Sequence, residues 1–296
     1  SSGTTGSASK KIPVSEDMVK AIRDTGIKQM LSLSNYDLPE AFFQKEILML
    51  GSSTDLEKVK DHYEGEISGI SASNIPFWFR GFYKPGEEIT SIDDWDERVM
   101  AIAKKAPEWD IGAISGIPSW IELMLKKVID YHQLETIHDI WPNLAVYNSG
   151  GVAFEPYRKI FDKLTGKPML YLDTYLASEG FLAFQARPND EMAMQLAYDT
   201  GIYFEFIPFK EEYFDEKGSP IPEAPALNIS QVEEDTEYAM LISTVSGAWR
   251  YSIGDTIMFT NIENAEIKIT GRTKHFLNVV GSQLSVSKMT EAIERI

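Results

Sequence analysis

The sequence predicts an α/β domain with a sizeable mixed sheet. Its first part places apolar residues at three- and four-residue spacing, which indicates amphipathic helices. Its later part alternates short apolar runs of strand length with further helical segments. Early helices followed by alternating strands and helices are typical of a sheet flanked by helices.

Three helices are predicted in the first part of the chain: residues 16–33, 39–50 and 54–64. Thr54 is the predicted N-cap of the third. A polar stretch follows at 83–94, where Pro85-Gly86 predicts a turn.

A fourth helix is predicted at 120–131, with Ser119 as N-cap and Glu122 as its capping-box partner. An amphipathic helix is also expected from residue 285 onward.

Six strands are predicted: residues 144–147, 169–172, 202–207, 238–244, 256–260 and 266–270. Gly150-Gly151 is expected to break the first of them. The proline-rich segment 218–225 is predicted to be a surface loop.

The composition limits the classes of function. The chain has 296 residues, a net charge of -17 and no cysteine. The negative charge disfavours non-specific binding to nucleic acid or to anionic membranes. No apolar run approaches the ~20 residues of a membrane span. The lack of cysteine excludes disulfides and thiolate metal sites and fits a reducing compartment, so we predict a cytoplasmic protein. An acidic protein that binds ATP needs local positive charge, a metal ion or backbone N–H donors.

Residues 1–10 combine glycines with hydroxyl side chains. Glycines let successive backbone N–H groups converge on phosphate oxygens, and hydroxyls add further donors. The candidate phosphate ligands are Ser1, Ser2, Thr4 and Thr5. The spacing is not that of a Walker A loop. A flexible tail is the alternative interpretation of this segment by itself.

Residues 173–180 follow the apolar run 169–172. Tyr175 supplies a ring that can stack on a base, and Glu179 supplies a carboxylate that can hold a divalent metal. The alternative is a strand end followed by a turn, with Glu179 in solvent.

Two later segments carry further candidates. Asp255 follows Gly254, and a carboxylate in that place can accept hydrogen bonds from both ribose hydroxyls. Arg272 follows a predicted strand and can clamp a phosphate or a ribose with its planar guanidinium. The alternatives are an Asp that caps a turn and a basic surface turn.

The spacing of these four segments, together with three longer strings, resembles a known family. The strings lie at 116–120, at 141–158 around Gly150-Gly151, and at 203–208. The chain is similar along nearly its whole length to the acyl-acid amido synthetases first known from auxin-responsive plant genes, and particularly to their bacterial relatives. These enzymes are part of the acyl-adenylate-forming superfamily.

The resemblance implies a large N-terminal adenylation domain and a role for each candidate. Ser1, Ser2, Thr4 and Thr5 would hold the β- and γ-phosphates of ATP. Gly150 and Gly151 would line the adenine pocket, with Tyr175 stacked on the base. Glu179 would ligate Mg²⁺, and Asp255 would bind the ribose hydroxyls. Arg272 would lie near the ribose and phosphate, so Glu179 and Arg272 are the candidate catalytic residues.

The resemblance also implies domain boundaries. Residues 1–270 would form the adenylation domain, and 271–296 the hinge and the start of a C-terminal lid domain. We therefore expect a fragment that lacks the lid and is trimmed at both ends. The chain departs from the family pattern in two places. Thr5 stands before the second glycine of the first segment, where relatives usually place a serine, and Gln283 stands at the hinge, where bacterial relatives usually carry an acidic residue.

The implied reaction has two steps. The carboxylate of a small acid attacks the α-phosphate of ATP, which gives an acyl-adenylate and pyrophosphate. An amine, expected to come from an amino acid, then displaces AMP. The alternatives are an acyl-CoA or other thioester ligase, which shares the first step, and a non-catalytic nucleotide-binding module.

Overall fold

The structure is a computed structural model that describes residues 11–52, 54, 56–77, 79–152, 154–189, 191–273, 276–279 and 282–285. The chain forms two compact units. The first is built on Ile22–Pro188, and the second combines Pro13–Ala21 with the chain from Asn189. No helix within the described ranges is long and apolar enough to cross a membrane.

Helix α1 begins in the second unit and continues into the first, and the strands and helices of the first unit follow it in the chain. In chain order these elements are α1 (Glu16–Ser32), β1 (Glu46–Leu50), β2 (Glu57–Val59), β3 (His62–Glu64), α2 (Ile67–Ser73), β4 (Tyr83–Lys84), α3 (Glu87–Thr90), α4 (Trp95–Lys105), β5 (Ile111–Gly116), α5 (Pro118–His132), β6 (Val146–Gly150), α6 (Arg158–Leu164), β7 (Leu170–Ala177) and β8 (Gly180–Phe184).

The first unit's sheet has the strand order β8-β7-β6-β5-β1-β4. All neighbours are parallel except the hairpin β7–β8. The register pairs Leu50 with Gly116, Gly116 with Ser149, and Ser149 with Asp173. Because the parallel strands end at the same level, the residues that follow β5 and β6 lie at one edge, beside the end of β7.

Both faces of this sheet are covered. On one face Ala113, Val146 and Leu172 pack with Leu33, which directly follows α1. On the other face the rings of Tyr147, Tyr171, Phe154 and Phe161 lie 4.5–6.4 Å apart. A parallel sheet buried on both faces is the usual α/β arrangement.

The second unit contains an antiparallel sheet. Its strands are β9 (Met194–Leu196), β10 (Ile202–Pro208), β11 (Glu237–Thr244), β12 (Tyr251–Asn261) and β13 (Glu266–Arg272), followed by the hairpin strands β14 (Phe276–Val279) and β15 (Ser282–Ser285). The sheet order is β10-β11-β12-β13-β9. The buried rings of Phe206, Tyr238 and Phe259 pack 5.0–6.3 Å apart.

The α/β class, the first helix and all six predicted strands are confirmed, although β7 ends later and β12 begins earlier than predicted. Segment 218–225 is a loop, as predicted. The helix predicted from residue 285 lies outside the described residues, except for Ser285 at the end of β15.

The helix predicted at 39–50 is wrong. Glu40–Gln44 forms a short 3-10 helix, and Glu46–Leu50 is strand β1. The run Ile47 to Leu50 is continuously apolar, and such a run fits a buried parallel strand as well as a helix. Pairing on both sides, with β4 and β5, selects the strand.

The helix predicted at 54–64 is also wrong, because residues 57–64 form the β2–β3 hairpin. Lys60 in its turn has φ 55°, the left-handed conformation that ends regular structure.

The predicted capping box is wrong as well. Helix α5 begins at Pro118, so Ser119 lies in its first turn, and Glu122 pairs with Lys126 at 2.5 Å. Proline is favoured at the first helical position, where its missing N–H is not needed.

Candidate active site

The end of β6 carries the two candidate adenine-pocket glycines. Gly150 is the last residue of the strand, and Gly151 has φ 84°. A Cβ atom added at Gly151 would lie 3.3 Å from Cγ1 of Ile117, the residue before α5. The backbone therefore turns sharply here, close to α5, in a conformation that favours glycine.

The β7–β8 hairpin carries the aromatic and acidic candidates. Tyr175 lies within β7 opposite Ala183 and is 7% exposed. The strand extends to Ala177, so most of segment 173–180 is strand, and only Ser178 and Glu179 form the turn. Antiparallel pairing with β8 lengthens the strand beyond the apolar run that predicted it.

Glu179 is 9% exposed, so the alternative of a solvated side chain is wrong. No hydrogen bond or ion pair joins its carboxylate to another residue in the described ranges. A buried carboxylate without a cation suits a metal ligand. No group of three metal-ligating side chains occurs among the described residues. Mg²⁺ needs only one or two carboxylates when phosphates and waters complete its shell. The site therefore fits Mg²⁺ bound together with a nucleotide.

Asp173 is a further carboxyl at this edge, to which sequence reasoning assigned no role. Its pKa is raised to about 7, chiefly by burial and also by nearby Glu155, while Arg158 opposes the shift. The Arg158 guanidinium lies 5.1 Å from the Tyr171 ring and donates from Nε to Glu155 at 3.1 Å. Arg158 is therefore a cation close to both carboxyl groups. Arg158 lies within the string 141–158 and Asp173 begins segment 173–180, and these motifs are the signal that could have found them.

The second unit carries the candidate ribose ligand. Asp255 is directly opposite Arg272 in the β12–β13 pair, and Arg272 Nε donates to Asp255 Oδ1 at 2.8 Å. Asp255 is 8% exposed, whereas the Arg272 side chain is half-exposed. Gly254 has φ 88°, and its carbonyl accepts a hydrogen bond from the Thr273 N–H at 2.9 Å. The structure thus joins two candidates that were predicted independently.

The described candidates divide between the two units. Gly150, Gly151, Tyr175 and Glu179 belong to the first unit, where the register pairs Gly150 with Thr174, next to Tyr175. Asp255 and Arg272 belong to the second unit. Ser1, Ser2, Thr4 and Thr5 lie outside the described residues, as does the side chain of Gln283. Their roles stay predictions.

Comparison with known proteins supports the resemblance. Residues 195–272 match the GH3 family central domain. The chain is 25% identical over 166 residues to an indole-3-acetic acid-amido synthetase, GH3.2, of Arabidopsis thaliana. The matched region covers 53% of this chain and 30% of the relative. It is 27% identical over 134 residues to a jasmonoyl–L-amino acid synthetase, GH3.5, of Oryza sativa subsp. japonica, covering 43% and 23%.

Two solved structures share the fold. The AtGH3.15 acyl acid amido synthetase in complex with 2,4-DB matches with a TM-score of 0.74 at 17% identity, over 99% of this chain and 59% of that chain. An open conformation of a 2-hydroxyisobutyryl-CoA ligase matches with a TM-score of 0.57 at 11% identity, over 94% and 58%. The chain therefore spans less than two thirds of these relatives. The resemblance to the amido synthetases and the adenylate-forming fold are confirmed.

Proposed function

We propose that this chain, which carries the match to the GH3 family central domain, activates a carboxylic acid with ATP and passes the acyl group to an amino acid. The protein that contains it would be an AMP-forming acid–amino acid ligase. The observation that carries the proposal is Glu179, a buried carboxylate without a cation partner among the described residues, in the turn that follows Tyr175.

Each candidate would contribute binding or charge rather than covalent chemistry. Gly150 and Gly151 would approach the adenine through backbone, and Tyr175 would stack on it. Asp255 would accept hydrogen bonds from the ribose hydroxyls, beside Arg272. The hydroxyls of Ser1, Ser2, Thr4 and Thr5 would hold the β- and γ-phosphates.

Glu179 would hold Mg²⁺, which when bound supplies positive charge for the phosphates. The chain would place the attacking carboxylate oxygen in line with the leaving pyrophosphate, and such positioning lowers the barrier by fixing orientation in advance. Arg272 pairs with the candidate Asp255, and Arg158 lies near Asp173. Both arginines would supply positive charge for the phosphates. We place the reaction in the cytoplasm, consistent with a chain that lacks cysteine.

A thioester ligase remains the second candidate, since the fold is shared with a CoA ligase. The test is ATP–pyrophosphate exchange by the intact protein with a panel of carboxylic acids, followed by product analysis with CoA in one set and amino acids in the other. We expect acid-dependent exchange and an amide product. A thioester product would favour the second candidate, and nucleotide binding without exchange would indicate a non-catalytic module.

A further inference from the structure

The sheet face that α1 covers in the first unit changes from apolar to polar toward the carboxyl ends of the strands. Leu33 packs there with Val146 and Leu172. Side chains on one face of a strand recur every two residues, and those on one face of a helix recur about every four. The next layer on this face therefore consists of Asn148, Thr174 and Gln29. We call these three residues the polar layer.

The polar layer is joined by three hydrogen bonds. Gln29 Nε2 donates to Asn148 Oδ1 at 3.0 Å and to Thr174 Oγ1 at 2.7 Å. The Thr174 hydroxyl donates to Asn148 Oδ1 at 2.7 Å. These bonds use both protons of the Gln29 amide and both lone pairs of the Asn148 oxygen.

The three hydrogen bonds of the polar layer leave some of its donor and acceptor groups unused. The two N–H protons of Asn148 Nδ2 and the carbonyl oxygen of Gln29 make no hydrogen bond to another residue in the described part of the chain. All three side chains are only partly buried. The polar layer therefore presents a donor and an acceptor side by side, already oriented by its internal bonds.

The layer beyond it, nearer the carboxyl edge, contains two glycines beside the buried Thr25. Gly26 precedes Gln29 by three residues, about 4.5 Å along the helix. Gly150 follows Asn148 by two residues, about 6.6 Å along the strand. A Cβ atom at Gly26 would meet no described atom within 4 Å, and one at Gly150 would meet only the Thr174 carbonyl oxygen at 3.7 Å. Glycine inside a helix is less stable than alanine, so the open space at Gly26 has a cost that packing does not require.

We propose that this space receives part of the acid substrate, and that the substrate is a carboxylic acid carrying a hydroxyl group. This inference rests on the proposed function. A hydroxyl both accepts and donates, so it can accept from Asn148 Nδ2 and donate to the Gln29 carbonyl oxygen. An acid without such a group leaves the polar layer desolvated and unpaired, which a hydrogen-bonding site penalises strongly. Gly150 ends the same strand, so the hydroxyl site adjoins the proposed adenine segment.

The test uses pairs of acids that differ by one hydroxyl: hydroxybenzoate and benzoate, hydroxyphenylacetate and phenylacetate, and a hydroxylated and a plain medium-chain fatty acid. ATP–pyrophosphate exchange by the intact protein gives kcat/KM for each member. We expect the hydroxylated member of at least one pair to be preferred by about tenfold or more. Gln29→Met and Asn148→Leu should each bring that ratio close to one. Gln44→Met, the same change at an exposed position, should preserve it.

Gly26→Leu provides a second test that keeps the hydrogen bonds of the polar layer. It fills the space from the helix side and should lower kcat/KM for the preferred hydroxy acid while the unfolding temperature does not fall. The inference is wrong if the parent treats both members of every pair alike, or if Gln29→Met lowers both members equally. Failure of the proposed function has a different result, since no acid would then support exchange by the folded parent.

Discussion

The burial of the Glu179 side chain supports the Mg²⁺-binding role that a short sequence motif predicts, and it makes that role testable. A carboxylate this buried is costly without a counter-charge. We expect Glu179→Gln to lower the rate of acid-dependent pyrophosphate release by roughly 10²–10³, the usual effect of removing one electrostatic stabiliser. The fold should remain, because glutamine has the same shape and relieves the buried charge.

The measurement is pyrophosphate release over a range of Mg²⁺ concentrations, with circular dichroism as the check on folding. Glu223→Gln, at an exposed residue of the 218–225 loop, is the matched control and should match the parent. Parental rates in Glu179→Gln would mean that the metal is held elsewhere.

Asp173 makes the stability of the protein depend on pH. Its pKa is about 7 in the folded protein, against an ordinary value of 3.8. Between these values the unfolded chain releases the proton that the folded chain retains, so the stability of the parent falls as pH rises through this window. Asp173→Asn removes this effect. We expect the variant to gain stability over the parent between pH 4 and 7, by on the order of 1–3 kcal/mol, with no further gain above.

Urea unfolding of both proteins at pH 4.5, 6 and 8 measures the difference between their free energies of unfolding. The other titrating groups are the same in both proteins, so their contributions cancel. Asp61→Asn, at an exposed turn residue, should show a constant difference from its parent. A constant difference for Asp173→Asn as well would show that Asp173 is ionised normally.

At the scale of elements, the β12–β13 pairing determines the hydrogen-bond partner of the Asp255 carboxylate. The register puts Arg272 directly opposite, so the carboxylate is held by a charge-assisted hydrogen bond of 2.8 Å. We expect Asp255→Asn to weaken ATP binding by roughly 1–3 kcal/mol, the cost of leaving hydrogen-bonded groups without a charged partner. Discrimination against 2′-deoxy-ATP should shrink with it.

Calorimetry with ATP and with 2′-deoxy-ATP provides the measurement. Glu205→Gln is the control, because it also breaks a carboxylate–arginine pair in this sheet, Arg250–Glu205 at 3.2 Å, and should leave ATP affinity unchanged. An Asp255→Asn protein that still prefers ATP over the deoxy form as strongly as the parent would exclude Asp255 as the ribose ligand.

The elements also show where sequence patterns stop being informative. Strands β10 and β11 were predicted closely, because each is a run of strand-forming residues between turn residues. Strand β1 was not, because a four-residue apolar run has no distinguishing period. Strand β7 was predicted too short, since the polar Asp173 and Thr174 interrupt its apolar run and its second half is held by pairing with β8.

At the scale of the whole chain, the sequence by itself determined the fold class, the resemblance to the amido synthetases and the candidate residues of the nucleotide motifs. These features depend on composition, on local periodicity and on strings of neighbouring residues, all of which are present in the linear order. The match of residues 195–272 to a family domain and the shared fold agree with the fold class and the resemblance, whereas the roles of the candidate residues stay predictions.

The tertiary structure alone decided which side chains meet and how far each is buried. It paired Asp255 with Arg272, placed the partly buried Asp173 near Glu155, and joined Gln29 to Asn148 across 119 residues. It also left open space at Gly26. The physical reason is that burial, charge and hydrogen bonding depend on neighbours distant in the chain, and local patterns do not specify those neighbours.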